Sequence, residues 1–595
     1  MNWTEELVTS FFWILKNLFT TFIIFSLLIF VLVKTTKWGY QFWTLAKDFI
    51  SPKRSSSPLF YFWTIVFFNL LSVRIDILFS DWYKAMYDAL QEMNVAGFWL
   101  QMLVFSILAT VHIFNILLTY YISQRFQIQW RIWLNKRMLN KWTANQAYYK
   151  TQYALSQLDN PDQRIQQDVD AYISNSLSLA IGVISSTVSL VAFSIILWDQ
   201  SGPMEIAGYQ IPHMMVFLVF IYVLISSVIA FKIGKPLIKL NFANEWLNAN
   251  YRYSLIRLKE YAESIAFYGG EVMEKSLLLK QFDKVIQNIW KMVYRTLKLS
   301  GFNIVVSQIS VIFPFIIQAS RYFAGEIKLG DLIQTAQAFG KVQSALSFYR
   351  NSYDNFASYC AVLERLTGFN HSIDSINLPS NVIIKDSEHN LIFENLTINT
   401  PNGKTLIENI NLNITQGTSL LIKGPSGVGK TTLLRTIAGL WQYSEGTIYR
   451  PIKNALFISQ KTYLPQGRLI DAMYYPEVSP EIIDINYVKN IINQVNLGHL
   501  VDKLEQEDDW TRVLSLGEQQ RLAFARLVLH KPKIAFLDEA TASMDEGLED
   551  AMYRLLRNEL KETTIISVGH RSTLHLYHQQ QLQISADGSW KLTGL

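Results

Sequence analysis

Three glycines, a lysine and three hydroxyl residues stand in the run Gly424-Pro425-Ser426-Gly427-Val428-Gly429-Lys430-Thr431-Thr432, directly after the apolar stretch Leu420 to Lys423. That spacing fits G-x-x-x-x-G-K-[ST], a loop that grips phosphates when it joins a strand to a helix. Glycines let the backbone amides curl around a β-phosphate, and the helix behind the loop adds its partial positive charge. Lys430 is placed to reach the β- and γ-phosphates, and the Thr431 hydroxyl to ligate Mg²⁺. Much later in the chain, Ile534-Ala535-Phe536-Leu537-Asp538-Glu539 reads as a buried strand ending in two carboxylates. Asp538 is expected to hold Mg²⁺ through its water shell, and Glu539 to polarise an attacking water as general base. The two motifs, in this order, predict a P-loop nucleotide site.

Just before the carboxylate strand comes Leu514-Ser515-Leu516-Gly517-Glu518-Gln519-Gln520-Arg521. Here the sequence resembles the ABC transporter signature, usually written LSGGQ, and the resemblance covers the whole ATPase half. It implies ATP and Mg²⁺ as ligands. It also implies that Gln460 is the lid-loop glutamine near the metal, that Ser543-Met544-Asp545 is the D-loop, and that His570 is the switch histidine contacting the γ-phosphate. Two positions depart from the pattern: Leu516 replaces a glycine and Glu518 a glutamine. Ser515 and Gly517 are kept, and these best suit phosphate contact at a helix N-terminus. Thr400 precedes Pro401 where many family members carry the tyrosine that stacks on adenine, so adenine must be held by another residue, which the sequence does not name. In the family, ATP sits between the phosphate loop of one ATPase domain and the signature of another. One chain carries one of each, which implies a second chain. A homodimer is the economical expectation because C2 pairs are the commonest oligomers, and a heterodimer stays open.

Apolar residues are unevenly spread along the 595 positions. Long hydrophobic runs fill roughly the first 350, while about the last 200 read as soluble α/β sequence, so two regions with different solvents are expected. A helix crossing the hydrocarbon core needs about 20 mostly apolar residues. Leu18–Val33, Leu59–Ser80, Phe98–Ile122, Ile173–Trp198, Met214–Ile233 and Phe302–Ile317 meet or approach that length, and the more polar Asp331–Tyr353 completes the topology. Lys and Arg mark cytoplasmic loops. Arg125, Arg131, Lys136, Arg137, Lys141, Lys150 and Arg164 put 123–172 inside, whereas 199–210 has neither residue type and lies outside. Lys34, Lys37, Lys47, Lys53 and Arg54 agree, so six core spans start at Leu59. The window near Leu18 is then an extra N-terminal span. A cleaved leader fits less well, because Glu5 and Glu6 spoil a basic start, and a helix lying on the membrane stays open. The net charge of +5 gives no case for nucleic acid, and the single cysteine, Cys360, permits no intramolecular disulfide or cysteine metal cluster.

The loops after the second and fourth spans are long and helical, so the membrane helices should continue into the cytoplasm. Asp159-Asn160-Pro161-Asp162-Gln163-Arg164-Ile165 is a helix start, and its position suggests a short element pressed against the ATPase. Gln334, Gln337, Lys341, Ser344, Asn351 and Asn355 share one helical face, which should meet protein or water, as a translocation cavity or as helix packing. Arg74 and Asp76, two apart, do not face each other and should pair with other helices or sit near the outer mouth. Asn160–Ile165, together with Ser264-Ile265-Ala266-Phe267-Tyr268-Gly269-Gly270-Glu271, resembles motifs of peroxisomal acyl-CoA half-transporters (subfamily D) and of bacterial BacA-like proteins fused to an ATPase. Trp82-Tyr83 and Ala89-Leu90-Gln91 resemble the bacterial group.

The expected fold is thus an α-helical membrane domain of exporter type, six core spans plus the N-terminal one, fused to an α/β P-loop ATPase. The expected boundaries are 1–54 for the extra span and elbow, 55–370 for the permease, 371–390 for a linker and 391–595 for the ATPase. The resemblance implies ATP-driven transport by a homodimer in a lipid bilayer, the bacterial inner membrane, with hydrophilic solutes such as peptides or cobalamin taken up. Movement of lipid or acyl-CoA amphiphiles is the alternative, and a nucleotide-gated channel or regulator without turnover is a third.

Overall fold

The computed structural model describes residues 3–51, 56–153, 161–202, 204–206, 209–376 and 381–595. They form two compact units, one from 1–139 with 160–370, the other from 140–159 with 371–595. Lys53, Arg54, Asp159 and Asn160, all used in the sequence reading, lie outside the described residues.

The first unit is helical apart from the short hairpin Met204–Ile206 with Tyr209–Ile211: α1 (Trp3–Thr35), α2 (Lys37–Ile50), α3 (Ser57–Gln91), α4 (Val95–Thr143, which runs past the unit's edge at Leu139), α5 (Val169–Gln200), α6 (Met214–Glu260), α7 (Glu271–Phe323), α8 (Leu329–Asn351) and α9 (Tyr353–Ile376, which runs past the edge at Asn370). Six of the described helices, α1 and α3 to α7, are long and apolar enough to cross a membrane, and α8 is the more polar companion that the topology demanded. Helices of 49, 47 and 53 residues (α4, α6, α7) far exceed the roughly 30 Å of hydrocarbon, so they run on into water. Of the apolar window in α3, 44% is buried, against none in α1, which makes α3 a core helix and α1 a peripheral one.

α1 begins fifteen residues before the expected window, at Trp3 rather than Leu18. Its early turns carry Glu5, Glu6 and Lys16, which depress hydropathy, yet Glu6 and Ser10 both accept from the buried Arg74 guanidinium of α3. The buried charge is thereby matched, as a low-dielectric site requires. Asp76 pairs with Lys341 of α8 at 2.7 Å, so both charges of the first core span find partners on other helices. The helix start at Pro161 opens a π-turn, Arg164–Asp168, in this first unit. Its Asp168, 3% exposed, receives Arg164 at 3.0 Å and both Nε and Nη2 of Arg365 at 2.8 and 2.6 Å.

Among its described residues the second unit holds two main sheets and a two-stranded ribbon, Gly467–Arg468 with Glu507–Asp508. In the larger, the strands run Trp590–Gly594, Gln580–Ile584, Ser419–Lys423, Thr564–Val568, Ile534–Asp538 and Ala455–Ile458, all parallel apart from the first. Ser419–Lys423 and Ile534–Asp538 are apolar and buried on both faces, as central parallel strands must be. Their C-terminal ends, with that of Thr564–Val568 between them, bring the phosphate loop and the carboxylate pair to one edge. The smaller sheet orders Val382–Asp386, Ser444–Arg450, Leu391–Asn399 and Thr405–Ile414. Val382–Asp386 was expected within a linker, but it pairs in register with Ser444–Arg450. Its alternation is too short to read as a strand until that partner satisfies its backbone.

Candidate functional site

The loop 424–429 leads from its strand into α10 (Lys430–Ile437). Gly429 caps that helix with φ +104°, a conformation a side chain would strain. Ser426 and Gly427 are exposed, Val428 is buried, and Thr432 follows in the first turn. Lys430 is buried, and its Nζ donates to the carbonyls of Gly424 and Pro425 at 2.9 and 2.8 Å. Burial holds its ammonium below the usual lysine range, opposed by the charges of Glu539 and Asp538. A cation so poorly solvated gains most when anionic oxygens arrive.

Thr431 Oγ1 donates to Asp538 Oδ1 at 3.2 Å. Burial raises the Asp538 carboxyl above the ordinary carboxylate range, and the Thr431 hydrogen bond works against that rise. Glu539, with φ 48°, turns out of the strand, and its amide donates to Val568 O. Its two carboxylate oxygens are claimed separately: Gln460 Nε2 donates to Oε2 at 3.0 Å, and His570 Nε2 lies 3.3 Å from Oε1. The hydroxyl, carboxylate and amide oxygens of Thr431, Asp538 and Gln460 are hard donors of the kind Mg²⁺ takes alongside phosphates and water, so these residues fit that ion.

Leu514–Glu518 opens α11 (Leu516–His530) with a reciprocal cap. Ser515 Oγ accepts from the Glu518 amide, while Glu518 Oε2 accepts from the Ser515 amide at 2.9 Å and from its hydroxyl at 2.8 Å. The glutamate that departs from LSGGQ thus closes an S-x-x-E capping box. Burial disfavours its ionised form, but Ser515, His499 and Arg521 together hold its carboxyl below the usual range. A Cβ on Gly517 would meet Ser543 O at 3.0 Å, so glycine permits the close approach of the next loop. Leu516 is 60% exposed. Asp545 caps α12 (Glu546–Glu559), accepting from Leu548 N at 2.7 Å. Gln520 ties these pieces together, donating to Gln460 O and accepting from Ser543 N.

Gln460, Glu539, His570, Thr431, Asp538 and Lys430 therefore converge. Among the described residues, no hydrogen bond or ion pair joins Ser515, Gly517 or Glu518 to 424–432. Thr400 closes a tight turn with Lys404, its amide and hydroxyl both meeting that residue.

A second feature escaped the sequence reading. The element expected against the ATPase, 159–165, lies in part outside the described residues; within the second unit it is the segment 140–153 that packs. Tyr153 meets Trp441 edge-on at 5.3 Å, lies under Arg435 at 5.6 Å, and its carbonyl accepts from Tyr443 at 2.8 Å. Lys141 pairs with Asp374 at 3.1 Å. Asn145 and Gln146, both with positive φ, break the helix ahead of it. The signal was present as Tyr148, Tyr149 and Tyr153, aromatics with no apolar span to serve.

In the first unit the polar face of α8 divides. Gln334 is buried and donates to Asp81 at 2.8 Å, and Lys341 is bound to Asp76 yet 44% exposed along its side chain. Gln337 is half-buried and Ser344 and Asn351 are exposed, whereas the exposed Asn355 lies past the end of α8, on α9, so the expected single face is broken at Ser352.

Residues 45–323 match the family described as ABC transporter transmembrane region 2, and residues 407–542 the ABC transporter family. An uncharacterized ABC transporter ATP-binding protein of Haemophilus influenzae is 57% identical, with all of both chains covered. The human lysosomal cobalamin transporter ABCD4 is 28% identical over 78% of this chain and 81% of its own. A bacterial Atm1-family ABC exporter solved with ATP bound superposes with a TM-score of 0.71 at 16% identity, covering 89% of this chain and 94% of that one. That likeness establishes the exporter-type fold.

Proposed function

Because the chain belongs to the ABC transporters, as a membrane region fused to an ATP-hydrolysing domain, we propose that two copies assemble into one pump of hydrophilic solutes. The observation that carries the reading is the position of Glu539, held from either side by Gln460 and His570 beside the phosphate loop. Glu539 takes the role of general base, with a water as the attacking nucleophile. Gln460 and His570 fix its two oxygens, so its lone pairs are aimed before the substrate arrives. Lys430 leaves the Gly424 and Pro425 carbonyls for the β- and γ-phosphates of ATP, and the 424–429 amides with the α10 N-terminus take the remaining charge. Thr431, Asp538 and Gln460 would hold Mg²⁺, which when bound would supply neutralisation of the phosphate charge.

Ser515 and Gly517, with Glu518 fixing the cap and Asp545 the neighbouring loop, face the γ-phosphate bound by the other copy. The absence of any tie to 424–432 among the described residues of one chain supports this division. Movement at the site reaches the membrane helices through 140–153, which is continuous with α4 and packed on Trp441.

The protein is multi-pass, and its home is the bacterial inner membrane with the ATPase in the cytoplasm, in keeping with its bacterial relative and its basic cytoplasmic loops. The part-exposed Lys341–Asp76 pair and the exposed Ser344, Asn351 and Asn355 favour a polar cargo over an acyl chain. Uptake is the direction proposed, with peptides or cobalamin-like compounds as cargo, the latter named for ABCD4. The test is purified protein in liposomes, screened with polar solutes and with acyl-CoA. ATP-dependent accumulation of a polar solute, with stimulated hydrolysis, is expected. Stimulation by acyl-CoA alone would overturn the cargo class.

A further inference from the structure

From Asp76 outward, α3 meets α8 through a run of polar contacts in antiparallel register. After the Lys341–Asp76 pair come Gln334 with Asp81 at 2.8 Å, Lys84 with Asp331 at 2.7 Å and Lys328 with Glu92 at 2.6 Å. At the tip, α3 satisfies the first amides of α8: Gln91 Oε1 accepts from Leu329 N at 2.7 Å, and Asp88 Oδ1 from Gly330 N at 3.1 Å. A Cβ on Gly330 would lie 2.3 Å from Lys84 O, so glycine lets the two helices touch there. Inward of Lys341 the face of α8 changes. Ser344 and Asn351 are exposed and make no hydrogen bond to α3 among the described residues. α5 ends at Gln200, and α6 and α7 lead inward and back, so α8 starts on the side of 199–210, which has no Lys or Arg. The polar face is thus covered by α3 at its outer end and uncovered toward the cytoplasm.

The other side of α3 is held differently. Arg74 is 8% exposed; its Nε donates to Ser10 at 2.9 Å, its Nη2 meets Glu6, and its guanidinium lies over the Trp13 ring at 5.8 Å. Further in, Phe62 stacks on Phe25 of α1 at 5.6 Å. Leu78, Trp82 and Met86 pack with Val104 and Leu108 of α4, while Ile77 turns to Ala338 and Phe339 of α8. Parting these seams has unequal costs. The Lys328 and Glu92 side chains are already 57% and 54% exposed, and exposed pairs contribute little because water replaces the partner. Drawing Arg74 away from Glu6 would leave a buried charge uncompensated, which costs far more.

We propose that α1 is the anchor of an outer gate: Arg74 keeps the outer half of α3 on α1 while α8 breaks the polar run and withdraws. The inference rests on the transport reading, since passage of a solute is what requires the outer end to open. Water takes over the freed carboxylates, ammonium groups and helix amides as the seam parts, so no buried charge is orphaned. The extra N-terminal helix, outside the six core spans, thereby gains a task.

Lys84→Cys with Asp331→Cys, on Cys360→Ser, puts a thiol on each side of the seam of the full-length protein in liposomes, where a short bis-thiosulfonate reagent can bridge them. The bridge should form readily without nucleotide, stop transport while nucleotide binding persists, and release both on dithiothreitol. With Glu539→Gln added and Mg-ATP present, it should largely fail to form. Arg74→Met removes the hold of α1 together with the buried charge; α3 should then follow α8, so bridging persists with Mg-ATP. If Arg74→Met does not fold, Glu6→Gln, which keeps the side-chain shape and weakens the hold, decides by the same reading. Bridging indifferent to Mg-ATP in the Glu539→Gln protein, or bridged protein that transports at the unbridged rate, would overturn the gate. Loss of bridging with Mg-ATP in the Arg74 variant, as in its parent, would overturn the anchor. The Mg-ATP comparison needs no cargo, so bridging that responds to nucleotide in a protein moving no solute would uphold the parting seam and sink the transport reading alone.

Discussion

Tyr153→Ala should separate hydrolysis from transport. The ring is held by an edge-on contact with Trp441 and by the Arg435 guanidinium above it. An aromatic pair contributes about 0.5–1.5 kcal/mol beyond its buried area, and a part-exposed cation–π contact about 0.5–1 kcal/mol. The hydrogen bond from Tyr443 goes to the Tyr153 carbonyl and survives the substitution. Docking of 140–153 in the second unit is thus weakened by ~2 kcal/mol, close to thirtyfold in the equilibrium between docked and released. None of the groups around Glu539 is touched, so ATP hydrolysis by the reconstituted protein should persist while solute accumulated per ATP falls sharply. Tyr153→Phe keeps the ring and should stay near wild type. Unchanged solute per ATP in Tyr153→Ala would refute the assignment of this segment as the route of force.

Glu539→Gln should keep ATP binding and lower hydrolysis by orders of magnitude, read by phosphate release beside a nucleotide-binding titration; near-wild-type turnover would remove the base. Asp168→Ala removes the buried carboxylate that Arg164 and Arg365 share and should destabilise the first unit by about 1–3 kcal/mol, seen as a lowered unfolding temperature in detergent. The raised Asp538 carboxyl sets a pH dependence. Mg²⁺ needs the ionised form, so Mg-ATP affinity should fall as pH drops through that raised range, sooner than for a carboxylate near 3.9. Affinity for ATP with EDTA should lack this step.

Where chemistry is local in sequence, reading it needs no structure. The loop 424–432, the Asp538–Glu539 pair and the spacing of Ser515 and Gly517 all lie within short runs, and the strands and helices that carry them appear where those runs require. Glu518 was legible too, since Ser515 and Glu518 stand at capping-box spacing, but comparison with a family pattern turned a cap into a departure. What could not be read depends on distant partners. Nothing near Glu6 announces Arg74, so hydropathy truncates α1 at Leu18. Nothing in Val382–Asp386 announces the strand Ser444–Arg450, so it looks like a linker. The segment at Tyr153 carries no cap or apolar period to mark it, whereas the helix start at Pro161 is explicit and leads into the ion pairs of Asp168.

The central claim, a nucleotide site shared between two copies, has a direct measurement. The single native cysteine is Cys360, so Cys360→Ser gives a clean background. Two populations carrying Glu539→Gln, one with Ser426→Cys in the exposed phosphate loop and one with Leu516→Cys at the exposed signature, are mixed, reconstituted and oxidised. With Mg-ATP, a disulfide-linked pair containing one chain of each kind should form, and without nucleotide it should not. Failure of the mixed pair to form with Mg-ATP, or a crosslink indifferent to ATP, would contradict the account.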